Sequence, residues 1–214
     1  MSVPEATIIN HAIAQYVSRT IDVELTSALT FRMLEARFAP RLSHWSRIWP
    51  SAIALSRWLL HEPHLALSST ELGCGLGLVS MTLAHRGVVV EGTDRVSHAL
   101  AFAAHNAAQN DLTGFSVSLL DWGEPTGVPS SLVVGSDILY DPSAPDRLFA
   151  LLDTSGLLIP GGKLVIAGPR ARSILFDVFR KKLSAEGYVH SEEACQVEWE
   201  GRTEAIDVHL LMRP

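Results

Sequence analysis

The run Glu71-Leu72-Gly73-Cys74-Gly75-Leu76-Gly77 constrains this chain more than any other feature. It follows an apolar stretch, Leu65–Leu72, and precedes Leu76, Val79 and Leu83 at helical spacing. A strand that turns through glycines into a helix offers a ligand unpaired N–H groups and the positive end of a helix dipole. The glycines let backbone approach where a Cβ would collide. A dinucleotide-binding loop places its third glycine two residues beyond the second's neighbour. Here a single residue separates Gly75 from Gly77, and an acidic residue precedes the loop. Taken alone, the triplet leaves a nicotinamide-dinucleotide loop and a structural turn open.

The surrounding pattern narrows the fold. Val88–Val90, Phe115–Leu120, Leu132–Leu139 and Lys163–Ala167 read as further strands. Between them, Val96, Leu100, Ala103, Ala104 and Ala107 mark a helix, and Leu148, Leu151 and Leu152 mark another after Pro145. Apolar strands alternating with amphipathic helices give βαβ units and a parallel sheet covered on both faces. Tyr188–Trp199 and Ala205–Met212, joined by Glu200-Gly201-Arg202-Thr203, read as an antiparallel hairpin. The predicted fold is therefore α/β: Rossmann-like, doubly wound and mostly parallel, with seven strands, a C-terminal hairpin and an N-terminal extension. The expected division is an extension over 1–44, with a β-hairpin and a helix, and a domain over 45–214. In the extension, Ile21, Val23 and Leu25 alternate with polar residues, as do Leu29, Phe31 and Met33; Leu34 breaks the alternation, so an amphipathic helix competes. Pro50 opens a helix through Leu60 with Ile53, Leu55, Trp58 and Leu59 on its apolar stripe.

Other motifs concern the ligand. Asp94 ends Val90-Glu91-Gly92-Thr93-Asp94, where a carboxylate can accept bonds from both ribose hydroxyls or act as a helix N-cap. Asp121-Trp122 follows the third strand of the alternating region, and Gly135-Ser136-Asp137-Ile138-Leu139-Tyr140-Asp141 ends the fourth. Together with Trp49-Pro50 and the glycine loop, these motifs resemble the class I, seven-β-strand methyltransferases that use S-adenosylmethionine. The closer likeness is to the lysine-methyltransferase-like branch, also called nicotinamide N-methyltransferase-like, over roughly 45–170. The resemblance implies cofactor contacts at Trp49, Glu71, Gly73, Gly75, Gly77, Asp94, Asp121, Trp122 and Ser136. Asp-x-x-Tyr stands where amino-methyltransferases carry Asn-Pro-Pro-Tyr, which implies that Asp137 holds the acceptor amine and Tyr140 walls its slot. The implied acceptor is a protein lysine or, alternatively, a small-molecule amine or heterocycle. A non-catalytic cofactor-binding module and a nicotinamide-dependent oxidoreductase are the rivals.

Composition sets the remaining expectations. Seventeen Lys and Arg against 23 Asp and Glu give a net charge of −6, so no nucleic-acid partner is expected. No stretch has the ~20 apolar residues that span a bilayer, and MSVPEATIINHAIAQ lacks the pattern of a secretory signal. Two cysteines, Cys74 and Cys195, read as free thiols of a cytoplasmic protein. No metal is expected: His61-x-x-His64 lacks a third ligand nearby. Cys74 has no motif-placed histidine to activate it, and Ser80 no nucleophile elbow. Arg180-Lys181-Lys182 reads as a solvated helix face, and Arg170 as a loop residue or a substrate contact.

Overall fold

Along the two central strands, 130–136 and 158–169, alternate side chains are buried on opposite faces of one sheet. Leu132, Val134, Val165 and Ala167 join one apolar cluster, while Val133, Leu164 and Ile166 join another. This two-sided burial is what a sheet covered by helices on both faces requires. The structure, a computed structural model, describes residues 3–38, 44–123 and 129–214.

The sheet comprises β3 (Ser68–Leu72), β4 (Val89–Asp94), β5 (Phe115–Leu119), β6 (Ser130–Ser136), β7 (Leu158–Pro169), β8 (Val189–Trp199) and β9 (Arg202–Met212). Its order is β5-β4-β3-β6-β7-β9-β8, parallel except where β9 joins β7 and β8. The expected seven strands and terminal antiparallel hairpin are therefore present. Val89 is 62% exposed at the start of β4, while Val88 and Val90 are buried.

Helices α2 (Pro50–His61), α3 (Leu78–His85) and α4 (Ser97–Gln109) contribute to the first cluster. The second face is covered by α5 (Ala144–Ser155) and α6 (Ser173–Ala185). Chain direction across the sheet reverses between β3 and β6. In such sheets, ligands bind beyond the carboxyl ends of the strands at this switch point.

Near the N-terminus, α1 (Val3–Ile13) precedes the hairpin β1 (Val17–Thr26) and β2 (Leu29–Phe38), which pair antiparallel. Val23, Leu25, Phe31, Met33 and Ala36 are buried in the same cluster as α2, α3 and α4. The inward positions continue in step, Phe31, Met33 and then the buried Glu35, while Leu34 is a half-buried apolar residue on the other face, which is why the apolar alternation breaks there. Glu35 accepts the Ile48 N–H at 3.0 Å and pairs with Arg19 at 2.8 Å, so its charge is compensated.

Candidate active site

The glycine loop leaves β3 and is pinned to β4 by the Cys74 N–H, which donates to Thr93 O at 2.8 Å. Gly73 and Gly77 have φ of +65° and +87°, a region that disfavours residues with a Cβ. At Gly77 a Cβ would lie 3.0 Å from the Ala103 Cβ, so this glycine lets α4 pack closely under the loop. A Cβ at Gly73 would lie 2.9 Å from Ile138 Cγ2. The first glycine thus admits β6's terminal loop, and the last admits α4.

A single cleft at the switch point gathers most of the motif residues. Its walls include Trp49, Glu71, Gly73, Gly75, Asp94, Asp121, Trp122, Ser136, Asp137 and Tyr140. Gly77 is not on those walls; its contact is with α4. Ten of the eleven residues expected at the site thus converge from the ends of β3, β4, β5 and β6 and from the start of α2.

The side chains divide between support and exposure. Glu71 is 1% exposed and accepts from the Ser80 N–H at 2.8 Å and the Ser80 hydroxyl at 2.5 Å. Burial pushes its carboxyl up to about 8 against those two bonds. Asp94 accepts the Gly75 N–H at 3.1 Å and the Val96 N–H at 2.9 Å, which fixes its carboxylate across the loop. Burial raises its pKa, opposed by these amides. The Trp49 indole N–H donates to His44 O at 2.6 Å, and the Arg47 guanidinium lies 3.9 Å from the centre of the Trp49 ring. Asp121 pairs with Arg147 of α5, whose guanidinium is 6.0 Å from the Trp122 ring.

At the far end, Asp137 takes a left-handed conformation with φ +55° and donates its N–H to Ala167 O at 2.8 Å. Its carboxylate, 9% exposed, is paired with Arg172. Burial raises its pKa, and the Arg172 charge draws it back down. Tyr140 is 38% exposed, with its ring 4.5 Å from that of His44. Arg172, His44, Arg47 and Arg147 are the residues that sequence reasoning missed. Arg170 is committed elsewhere, to a forked pair with Asp207 at 2.6–3.1 Å. Its neighbour two residues on reaches Asp137, and nothing in the sequence distinguishes the two arginines.

A family model described as lysine methyltransferase matches residues 40–179. The chain belongs to this family. No curated protein matches the sequence. Among solved structures, magnesium protoporphyrin IX methyltransferase from Synechocystis PCC 6803, with bound S-adenosylhomocysteine, is 18% identical with a TM-score of 0.59; the match covers 76% of this chain and 82% of that one. The N-methyltransferase NodS from Bradyrhizobium japonicum, also with S-adenosylhomocysteine, is 19% identical with a TM-score of 0.56, over 76% and 84%. The [4+2]-cyclase SpnF is 13% identical with a TM-score of 0.58, over 75% and 80%. These likenesses are of fold. The protein is an S-adenosylmethionine-dependent methyltransferase with a Rossmann-like seven-stranded sheet. The cleft suits that cofactor: a buried carboxylate on the wall, a glycine loop and Trp49 and Trp122 provide polar and flat apolar surfaces for a nucleoside.

Proposed function

We propose that this methyltransferase acts on nitrogen and that its acceptor is a protein lysine side chain. The observation that carries the reading is Asp137: a mostly buried carboxylate at the end of β6, on the same cleft as the glycine loop and Asp94. A small-molecule amine or heterocycle, held by the same Asp137 and Tyr140 in the same cleft, is the second reading. Among the described residues, no helix is long and apolar enough to cross a membrane. A cytoplasmic setting, and a division into a 1–44 extension and a 45–214 domain, belong to the same proposal.

S-adenosylmethionine supplies a methyl group on a positive sulfur, which is an excellent leaving group. The chain's work is then to hold the acceptor in line and to present its lone pair. In this reading, Trp49, Gly73, Gly75, Asp94, Asp121, Trp122 and Ser136 contact the cofactor, while Glu71 and Gly77 shape the loop from beneath. Asp137 accepts a hydrogen bond from the acceptor amine, which reacts only when neutral, and Tyr140 walls the slot. Arg172 keeps the Asp137 carboxylate ionised and oriented. An acidic surface, net −6 overall, favours basic partner segments.

Transfer of labelled methyl from S-adenosylmethionine into a cell lysate tests this. Label recovered as methyl-lysine in the macromolecular fraction, and lost with Asp137→Ala, is the expected result. Label confined to small molecules transfers the case to the second reading. No transfer by folded, cofactor-binding protein overturns both.

A further inference from the structure

Three side chains of the terminal hairpin converge outside the cleft walls, with His209 lining a smaller pocket that Asp137 and Arg172 share. His190 and Glu192 are two apart on β8, so they share a face of the strand. Glu192 pairs in register with His209 on β9, and His190 pairs with Leu211, which leaves His190 diagonal to His209. His209 Nδ1 lies 3.2 Å from His190 Nε2 and 3.5 Å from a Glu192 carboxylate oxygen. One ligand atom from each residue lies within 4.8 Å of the others.

These separations have a chemical meaning. Ligands at about 2.0–2.1 Å in a tetrahedral zinc site stand roughly 3.3–3.4 Å apart along each edge. Both distances measured from His209 Nδ1 lie close to that edge. Hydrogen bonding alone serves the cluster poorly. If Nδ1 carries a proton, that single N–H can point at His190 or at Glu192, but not both. If it does not, His190 Nε2–H can donate to Nδ1, and the Glu192 carboxylate is left beside a second acceptor. A cation answers all three lone pairs at once.

The site is also held in shape. His209 is 5% exposed, and the Phe176 ring stacks on it at 3.5 Å between centres and 10° between planes. This contact with α6 fixes the plane in which Nδ1 points. His190 is half-buried and Glu192 exposed, so the outer side is open to water ligands.

We propose that His190, Glu192 and His209 form a binding site for a divalent transition metal of the zinc class, with water completing its coordination. Two imidazoles and a carboxylate select such borderline ions over calcium or magnesium, which prefer oxygen. Bound there, the ion ties edge strand β8 to β9 under α6.

The test uses full-length, tag-free protein stripped with a chelator. Cobalt(II) is titrated by visible absorption, and zinc is measured by calorimetry and by competition with the bound cobalt. One zinc per chain is expected, with a tetrahedral cobalt spectrum. His190→Ala and Glu192→Gln should each weaken zinc binding at least about 10-fold. His61→Ala with His64→Ala, both exposed positions on the other side of the sheet, should leave binding unchanged. His209→Gln, a buried change, is scored only if it melts as the wild type does; His190→Ala carries the test otherwise. Absence of saturable zinc binding at micromolar protein, or binding that His190→Ala leaves unchanged, overturns the proposal.

Discussion

The Asp137 carboxylate at the end of β6 is ion-paired with Arg172, which follows β7. Arg172 is 38% exposed in its side chain against 9% for Asp137, so the acid is the inner partner. Its left-handed backbone and its N–H bond to Ala167 O hold it where the cleft meets the second, smaller pocket that Arg172 also lines. With a lysine acceptor, Asp137→Ala should lower kcat/KM about 100-fold, on the order of 3 kcal/mol of transition-state stabilisation. Arg172→Ala should cost less, about 10-fold, because the carboxylate remains but loses its orienting charge. Steady-state kinetics beside cofactor calorimetry check this: both variants should bind S-adenosylhomocysteine as the wild type does. A wild-type rate in folded Asp137→Ala would remove Asp137 from the reaction.

Asp94 should act on the other quantity. Its carboxylate already takes two loop amides, and Asp94 is itself part of the cleft wall. Asp94→Ala should weaken cofactor binding by roughly 1–3 kcal/mol, through lost charge-assisted bonds. Titration calorimetry on variants with an unchanged melting profile measures this. Tyr140→Phe should leave the same affinity unaffected.

Gly77 and Gly75 separate packing from ligand approach. Gly77→Ala forces a Cβ to 3.0 Å from Ala103 and keeps a φ of +87°, so it should destabilise the fold by about 1–3 kcal/mol. Ala103→Gly should recover part of that loss, giving a coupling of at least about 0.5 kcal/mol in urea unfolding. Additive costs would mean that α4 does not press on this glycine. Gly75→Val places a β-branched residue at φ +53° and should also cost stability, but because its parent lines the cleft it should in addition reduce cofactor affinity in the protein that remains folded.

The parallel half of the sheet was legible because runs such as those of β4 and β6 are short, apolar and separated by helical periods, a pattern set by two-sided burial. The cofactor end was legible for a related reason: backbone constraints at Gly73 and Gly77, and a carboxylate at a strand end, are local properties written in consecutive residues. Arg172 was not legible. Its partner lies 35 residues away, joined only by the adjacency of β6 and β7, and Arg170 offers the same chemistry two positions earlier. The Arg47–Trp49 contact is local and set by the bend just before α2, whereas the hold of Arg147 on Asp121 again depends on how α5 packs beside the cleft. The His190–Glu192–His209 cluster escaped for the same reason, since strand register across the hairpin, not spacing along the chain, assembles it.

Glu71 gives the pH signature. Burial lifts its carboxyl from an ordinary 4.5 to about 8 in the folded protein, with Ser80 bonds opposing the shift. An acid whose folded pKa exceeds its unfolded value keeps its proton on folding and releases it on unfolding. Stability from this group is therefore complete below about pH 4.5 and is lost as pH rises towards 8. The limiting slope is about 1.4 kcal/mol per pH unit in that window. Glu71→Gln keeps an oxygen for the Ser80 N–H and hydroxyl but has no proton to lose. The difference between wild-type and variant stability should thus shift steadily in favour of Glu71→Gln between pH 5 and 8, measured as urea midpoints at each pH. Parallel profiles would mean that Glu71 is ionised in the fold at neutral pH, with its charge met by the Ser80 bonds alone.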